Sequence, residues 1–379
     1  MRIGFDAKKI VTNLTGIGNY SRGIIHALAE HYPDNQYILF APNKWNERCI
    51  SRLQPHASIT FAYPRCTWSL AQEWWRCHGI TKDIVRNRTD IFHGLSNELP
   101  SGIRRTGCKS VVTIHDLIFL RYPHTYDPIA RQILKAKTLY ACRKADKIVA
   151  ISQCTKQDII KFYNIPKEKI KVVYQGCDPI FYRTTSIDEI QAIQKRYGLP
   201  SNYLLCVGTL EQRKNQLSIL QSLALANNDI HLVLTGKPTK YQTVIEERIK
   251  SLGLQQRVHI LNNVLNPDLP AIYQGATAFI YLSWFEGFGI PVLEALVSGV
   301  PVIAATGSCL EEAGGPTSLI FFHYLSRHSC NQHIAFINIS SNYCICPHYN
   351  ILSIYIHSGE NHPPEQIQQP SFINTDFLK

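Results

Sequence analysis

The stretch YLLCVGTLEQRKNQLSILQSLALA, residues 203–226, decides the fold class. It passes from a short apolar segment through a polar loop into a segment whose leucines and isoleucine recur at helical spacing. Further strand-like segments follow at IHLVLTG, VHILNNV, AFIYLS and VPVIAAT, with helical segments such as TVIEERIKSLGL between them. Short apolar strands that alternate with helices predict a parallel, doubly wound sheet.

The first half of the chain shows the same alternation. Its strand-like segments are MRIGFDA, QYILFAP, DIFHGL, SVVTIHDL and KIVAIS. The predicted fold class is therefore α/β, with two Rossmann-like domains that face each other across a cleft. We expect an N-terminal domain over 1–178, a connection over 179–202, a C-terminal domain over 203–318 and an atypical tail over 319–379. Ligands of such sheets bind outside the carboxyl ends of the strands.

Composition restricts the class of protein. The chain has 379 residues, of which 45% are hydrophobic and 18% charged, a balance typical of globular proteins. It shows neither a basic leader with an apolar core nor a long apolar run, so we expect neither export nor a membrane span. The twelve cysteines contain no CxxC pair, which favours reduced thiols in a cytoplasmic protein.

The formal net charge of +11 is concentrated in one segment. Residues 131–171 contain eleven Lys or Arg against three acids. Such a segment favours an anionic membrane surface or a nucleic acid, although a solvated helical face explains it equally well. Because no nucleic-acid-binding motif accompanies the charge, we expect no nucleic acid partner.

Two motifs of the first half could face a ligand. In TGIGNYSRG, Gly16 and Gly18 permit close approach of the backbone, and the following helix presents free N–H groups to an anion. An ordinary turn explains the glycines too. In TIHDL, His115 follows an apolar strand, where it could donate to a sugar hydroxyl or be a structural histidine.

Two motifs of the second half carry charge. Arg213 and Lys214, in VGTLEQRKNQ, together match a diphosphate, although a surface Arg-Lys pair is common. In FEGFGIPVLEAL, Glu286 precedes a glycine-rich turn and Glu294 lies about one helical turn beyond it. Glu294 alone could be an ordinary glutamate of a helix start. The pair could instead accept hydrogen bonds from two diols, with backbone N–H donors between them at Phe288, Gly289 and Ile290.

These motifs in this order resemble retaining glycosyltransferases of family 4, which have the GT-B fold, over roughly residues 1–318. The resemblance implies that the backbone around Gly16 and Gly18 holds the donor diphosphate. It also implies that His115 contacts the transferred sugar near its outer hydroxyl. The tryptophans of the first half and the basic segment would suit a lipid-linked acceptor at the inner membrane surface, and core packing explains the tryptophans about as well.

In the second half, the resemblance implies that Arg213 and Lys214 bind the diphosphate and stabilise it as it leaves. Glu286 would hold sugar hydroxyls with help from the N–H groups of the turn, and Glu294 would hold the ribose. Many relatives have an arginine where this chain has Thr209. The motif GTLE-x-RKN resembles that of mannosyltransferase-like members of the family. GDP-mannose is therefore the first expectation for the donor.

The implied reaction transfers a hexose to a saccharide or lipid-linked saccharide in cell-surface polysaccharide synthesis, with retention of configuration. We expect no metal and no cofactor, since no Asp-x-Asp follows a strand. His93, Asn97 and Glu98, in FHGLSNELP, are candidate acceptor contacts. A sugar-nucleotide epimerase, a phosphorylase and a nucleic-acid-binding protein are minor alternatives.

The tail departs from the family. After about Ser318 the chain is poor in charge, with five charged residues in the last sixty, and rich in His and Cys without ligand spacing. A shifted reading frame would explain so abrupt a change. The alternative expectation is therefore an inactive or crippled transferase whose tail is cut readily by protease near residues 318–329.

Overall fold

A computed structural model describes residues 1–321, with gaps at 43–46, 54, 66–67, 227–228 and 316–318. The predicted frame shift and most of the atypical tail lie outside these residues. The chain divides into two compact units, Met1–Gly176 and Cys177–Lys379. The second unit is described here as far as residue 321.

The first unit is built on a seven-stranded parallel sheet in the order β3-β2-β1-β4-β5-β6-β7. The order in which successive strands are added to the sheet reverses between the parallel neighbours β1 and β4, where Phe5 pairs with His93. Apolar clusters cover both faces of the sheet. The strands are β1 (Arg2–Asp6), β2 (Gln36–Phe40), β3 (Ile59–Ala62), β4 (Ile91–Gly94), β5 (Lys109–Ile114), β6 (Lys147–Ala150) and β7 (Ile170–Val172).

Eight α-helices of the first unit are described. They are α1 (Lys8–Thr12), α2 (Gly16–His31), α3 (Glu47–Ile50), α4 (Ser69–Trp74), α5 (Ile80–Arg86), α6 (Ile118–Arg121), α7 (Pro128–Lys144) and α8 (Gln153–Tyr163). A π-helical turn, Trp75–Gly79, joins α4 to α5. Short 3₁₀ turns occupy Ile103–Thr106, Pro123–Thr125 and Lys167–Lys169.

The second unit repeats the plan with a six-stranded parallel sheet in the order β10-β9-β8-β11-β12-β13. The strands are β8 (Tyr203–Val207), β9 (His231–Thr235), β10 (Val258–Leu261), β11 (Ala278–Tyr281), β12 (Val302–Ala305) and β13 (Leu319–Phe321). Here the order in which successive strands are added reverses between β8 and β11, which are adjacent and parallel. That reversal is the place where open α/β sheets bind ligands.

The α-helices of the second unit are α9 (Ile187–Tyr197), α10 (Gln216–Leu225), α11 (Tyr241–Ser251), α12 (Leu269–Gln274), α13 (Ile290–Val297) and α14 (Leu310–Gly314). Three 3₁₀ turns span Pro179–Tyr182, Gln212–Lys214 and Asn266–Asp268. Helix α9 lies in the predicted connection; Ser186 accepts from the N–H of Glu189 at its start, and Gly198 ends it. Across the described part of the chain, each helix is too short or too polar to traverse a bilayer.

Candidate functional site

The loops after β8 and β11 bring the charged residues of the second unit together. Arg213 and Lys214 lie on a 3₁₀ turn, six and seven residues beyond the end of β8. Glu286 lies five residues beyond the end of β11. Because β8 and β11 are neighbours, their carboxyl ends place these loops side by side. The carbonyl of Arg213 accepts from the N–H of Trp284 at 2.9 Å, which fixes one loop to the other.

A single carboxylate oxygen organises this cluster. Glu286 Oε1 lies 2.6 Å from Lys214 Nζ, 2.8 Å from Arg213 Nη1 and 2.5 Å from the hydroxyl of Ser283. Burial alone would raise the pKa of Glu286, but Lys214 and Arg213 outweigh burial and hold the pKa at about 2. The hydroxyl of Tyr281 also donates to this oxygen, at 3.2 Å. The carboxylate is therefore ionised across the physiological range and its orientation is fixed by four donors.

Lys214 is held on two sides and retains donor capacity. Its ammonium donates to the hydroxyl of Tyr281 at 2.5 Å and to Glu286, and lies 4.9 Å from the centre of the Tyr281 ring. The side chain is largely buried. An ammonium has three N–H donors, so one remains for a ligand that approaches the carboxyl edge of the sheet.

Glu294, on α13, has the opposite electrostatic environment. Burial raises its pKa to about 7, even though the hydroxyl of Tyr273 donates to Oε2 at 2.9 Å. The predicted carboxylate is thus balanced between its acid and its ionised form near neutral pH. The rings of Tyr273, Phe279 and Tyr281 contact one another in sequence at 5.4 and 5.7 Å, which connects the surroundings of Glu294 to those of Glu286.

The turn between the two glutamates packs against helix α14. Phe288 is buried, and Gly289 has φ +104°, a left-handed conformation that disfavours side chains. A Cβ atom on Gly289 would lie 2.6 Å from the side chain of Leu310 on α14. Helix α13 starts at Ile290, one residue before the proline, so the backbone N–H groups at the end of the turn lie at the start of that helix.

In the first unit, Gly16 and Gly18 have different environments. Gly16 is exposed at the first position of α2, whereas Gly18 is buried within the helix. A Cβ on Gly18 would lie 1.9 Å from the carbonyl oxygen of Asn13, and the N–H of Gly18 donates to the Asn13 side chain at 3.3 Å. Packing of α2 against the end of α1 therefore accounts for Gly18 without a ligand.

His115 is buried and engaged through both ring nitrogens. Nε2 lies 2.8 Å from the carbonyl of Leu95, and Nδ1 lies 3.4 Å from the side-chain amide of Gln175. These partners assign the tautomer that donates from Nε2 and accepts at Nδ1. Burial lowers the pKa of His115 to about 4, so the ring is neutral at physiological pH.

The candidate acceptor contacts are also engaged within the unit. His93 Nε2 lies 2.8 Å from the hydroxyl of Thr113, and burial lowers the pKa of His93 to about 3. The side chain of Asn97 accepts from the N–H of His115 at 2.8 Å and so shapes the loop. Glu98 forms an ion pair with Arg76 at 2.7 Å.

Arg76 is a residue that sequence reasoning missed. Its buried guanidinium joins Asp6, at 3.0 Å, to Glu98 at the carboxyl edge of the first sheet. Ser283, Tyr281 and Tyr273 of the second unit were missed as well. A hydroxyl inside an otherwise apolar strand, as in AFIYLS, is the signal that could have indicated Tyr281 and Ser283.

Among the residues described, eight cysteines are free, and no group of three or more potential ligands is placed to hold a metal ion. The thiol of Cys309 donates to the carbonyl oxygen of Glu286 at 3.0 Å. It supports the backbone behind the carboxylate.

Both units are doubly wound, and the second gathers two cations and a carboxylate at the reversal of its strand order. Profiles of two families match the chain: "Glycosyltransferase Family 4" over residues 14–180 and "Glycosyl transferases group 1" over residues 189–320. The chain belongs to glycosyltransferase family 4 and is a retaining glycosyltransferase. Residues 321–379 lie outside both matches, as predicted for the tail.

Similar proteins agree with this assignment. The chain is 27% identical over 334 residues to O-antigen chain mannosyltransferase B of Escherichia coli, with 84% of this chain and 86% of that protein covered. It is 28% identical over 194 residues to O-antigen chain mannosyltransferase RfbU of Salmonella typhimurium, with 51% of each covered.

Solved structures share the fold. WaaG, a glycosyltransferase involved in lipopolysaccharide biosynthesis, superposes with a TM-score of 0.66 at 14% identity, covering 86% of this chain and 87% of that one. Anabaena HepE in complex with UDP and glucose gives 0.64 at 19% identity, covering 85% and 86%. These likenesses confirm the predicted α/β fold class of the GT-B type.

Proposed function

We propose that this protein transfers mannose from GDP-mannose to a saccharide or lipid-linked saccharide during synthesis of a cell-surface polysaccharide. The observation that carries the proposal is the cluster in which Lys214 and Arg213 flank the carboxylate of Glu286 at the strand-order reversal of the second sheet. The similarity to two O-antigen mannosyltransferases supports mannose as the sugar.

The cluster suits a departing diphosphate. The remaining N–H of Lys214 and the guanidinium of Arg213 can stabilise negative charge that develops on the leaving oxygen. Glu286, ionised and held by four donors, would accept hydrogen bonds from hydroxyls of the transferred sugar. Such fixed groups need little reorganisation as the bond to the leaving group breaks.

Retention follows a front-face course in this proposal. The bond between the sugar carbon and the phosphate oxygen breaks, and the acceptor oxygen bonds to the same face of that carbon. The proton of the acceptor hydroxyl passes to a phosphate oxygen of the leaving diphosphate. No protein carboxylate serves as a covalent nucleophile in this course.

The second carboxylate and the turn would hold the rest of the donor. Glu294 would accept from the ribose hydroxyls, and the N–H groups of Phe288, Gly289 and Ile290 would donate to the sugar or diphosphate. The base would contact the segment from Val258 to Val264, which begins in the edge strand β10.

The first unit would contribute the backbone at Gly16 and Gly18 to the diphosphate and His115 to the sugar. For His115 to contact a hydroxyl, one ring nitrogen must exchange its present partner. The contact with Gln175, at 3.4 Å, is longer than the one with Leu95, at 2.8 Å, and is the easier to exchange. We place the reaction in the cytoplasm, at the inner face of the membrane.

A ligand-dependent thermal shift tests the donor assignment. A ligand that binds the native state alone raises the apparent stability, so GDP should raise Tm more than UDP or ADP at equal concentration. Transfer of radiolabelled mannose from GDP-mannose to membrane extracts tests the reaction. Stabilisation by UDP alone would replace GDP-mannose by a UDP-sugar, the alternative favoured by the structural likeness to UDP-bound HepE.

A further inference from the structure

The charged cluster after β8 and β11 has no surplus positive charge. The guanidinium of Arg213 lies 2.6 Å from the carboxylate of Glu211 and 2.8 Å from that of Glu286. The ammonium of Lys214 pairs with the same Glu286 at 2.6 Å. Two carboxylates therefore offset the two cations, although both cations keep their places in the site.

The ligand that the proposed function requires is an anion. A diphosphate is negatively charged on each phosphate, and further negative charge develops on the leaving oxygen when the bond to the sugar breaks. Charge that is taken out of water is costly unless it is paired. Because the cations and carboxylates of the cluster already balance, a further cation beside Lys214 would complete the site.

The backbones of the parallel neighbours β8 and β9 continue to pair beyond the ends of both strands. The N–H of Gly208 donates to the carbonyl of Thr235 at 2.8 Å. The N–H of Leu210 donates to the carbonyl of Lys237 at 3.1 Å, with the same offset in sequence. The register of the sheet therefore continues and places Thr209 opposite Lys237, on backbones about 4.8 Å apart.

Two further contacts hold the loop after β9 against the loop after β8. A Cβ atom on Gly236 would overlap the carbonyl oxygen of Gly208, so a larger residue at this position would force the two loops apart. The hydroxyl of Thr239 donates to the carbonyl of Leu210. The backbone on both sides of Lys237 is therefore fixed by the loop that carries the charged cluster.

Lys237 lies on the backbone that borders the cluster and is not offset by a carboxylate. A Cβ atom on Gly208 would lie 3.6 Å from Cε of Lys214, so the paired loops run directly beside that cation. The side chain of Lys237 is exposed, and within the described part of the chain its ammonium makes neither an ion pair nor a hydrogen bond. Its charge is therefore available to an anion at the carboxyl edge of the sheet.

We propose that Lys237 binds the diphosphate of the donor and supplies the net positive charge that the cluster lacks. The inference rests on the proposed function, because it concerns the diphosphate of that donor. An ammonium is a compact charge on a flexible stem, so Lys237 can follow the diphosphate as its charge grows. Arg213 and Lys214, held by their carboxylates, give the diphosphate fixed donors, and Lys237 gives it uncompensated charge.

Titration calorimetry of the full chain with GDP, GMP, UDP and UMP tests the assignment. The test variant is Lys237→Gln. The matched control, Lys240→Gln, removes an exposed lysine three residues further along, outside the paired backbone. A third variant, Thr209→Arg/Lys237→Gln, moves the cation to the opposite position of the same register.

We expect Lys237→Gln to bind GDP about tenfold more weakly, the effect of losing one charge-assisted contact, and to bind GMP with a smaller loss. The affinity for GDP should also depend less on salt in Lys237→Gln than in the wild type. Lys240→Gln should match the wild type, and Thr209→Arg should restore most of the lost affinity. Equal losses for GDP and GMP, equal losses in the control, or no recovery with Thr209→Arg would overturn the proposal.

The choice of nucleotides separates this inference from the proposed function. If the wild type binds UDP in place of GDP, GDP-mannose is the wrong donor, and the comparison of UDP with UMP tests Lys237 in the same way. The preference between guanine and uracil should be unchanged in Lys237→Gln, since the residue is assigned to the diphosphate. A wild type that binds neither diphosphate more tightly than its monophosphate would refute the role of Lys237.

Discussion

Replacing Lys214 by methionine should separate catalysis from folding. Methionine keeps an unbranched stem, so the packing in a site where Lys214 is largely buried changes little. What is lost is an ammonium that contacts Glu286 at 2.6 Å and Tyr281 at 2.5 Å. We expect kcat to fall by about 10²–10³-fold, the usual effect of removing one fixed donor to a developing negative charge.

The loss in the free energy of unfolding should be smaller than the rise in the activation free energy that corresponds to the fall in kcat. Each hydrogen bond to a charged group contributes about 1.5–3 kcal/mol, and relief of the ammonium's desolvation offsets part of the two that are lost. Arg213 and Ser283 still hold Glu286, at 2.8 and 2.5 Å. We therefore expect a loss of about 2 kcal/mol, which corresponds to a fall in Tm of about 4–8 °C.

A double-mutant cycle provides the control. Glu286→Gln alone leaves two cations partly uncompensated. The double variant Lys214→Met/Glu286→Gln should therefore lose about 1–3 kcal/mol less free energy of unfolding than the two single variants together. Its kcat should remain as low as that of the worse single variant. Chemical denaturation gives the stabilities and initial rates with the labelled donor give kcat. Recovery of activity together with stability in the double variant would mean that the cluster is structural and the catalytic assignment is wrong.

Four further outcomes are expected. EDTA should leave transfer unchanged, and recovery with Mg²⁺ after its loss would refute the metal-free reaction. Buried His93 and His115, whose pKa values lie near 3 and 4, should make stability fall as pH drops from 6.5 toward 4, because the unfolded chain binds the protons that the folded one refuses; a flat denaturation profile would contradict this. Gly289→Ala should cost more stability than Gly307→Ala, since both have positive φ and only the first meets a side chain, and equal Tm losses would exclude that contact. If Glu294 accepts from a ribose, nucleotide binding below pH 7 should release a proton in wild type and none through this site in Glu294→Gln, as calorimetry in two buffers measures.

The sequence predicted the sheets better than it predicted the contacts. Apolar segments such as YLLCVGTL and AFIYLS correspond to β8 and β11, because strands buried on both faces leave a clear apolar pattern. That the loops after them would meet depends on the adjacency of β8 and β11, which two separate segments do not encode on their own. The family resemblance supplied that step.

Long-range pairing explains what the sequence did not indicate. Arg76 lies in a polar stretch beside two tryptophans, and its partners Asp6 and Glu98 are distant in sequence. Nothing in that local pattern distinguishes a buried arginine from a solvated one. Gly18 shows the converse case, because a glycine that looks suited to a phosphate is required by the carbonyl of Asn13.

The two glutamates of FEGFGIPVLEAL differ because of their neighbours. Burial disfavours the charged form of both. Glu286 meets two cations and is ionised above about pH 2, whereas Glu294 meets a tyrosine hydroxyl and the negative charge of Asp178 and holds its proton to about pH 7. Near neutral pH, Glu286 can therefore only accept hydrogen bonds, whereas Glu294 can donate in its protonated form or accept in its ionised form. A ligand that brings diols to both must displace a proton at Glu294 alone, so proton release on binding assigns the second diol to Glu294 and not to Glu286.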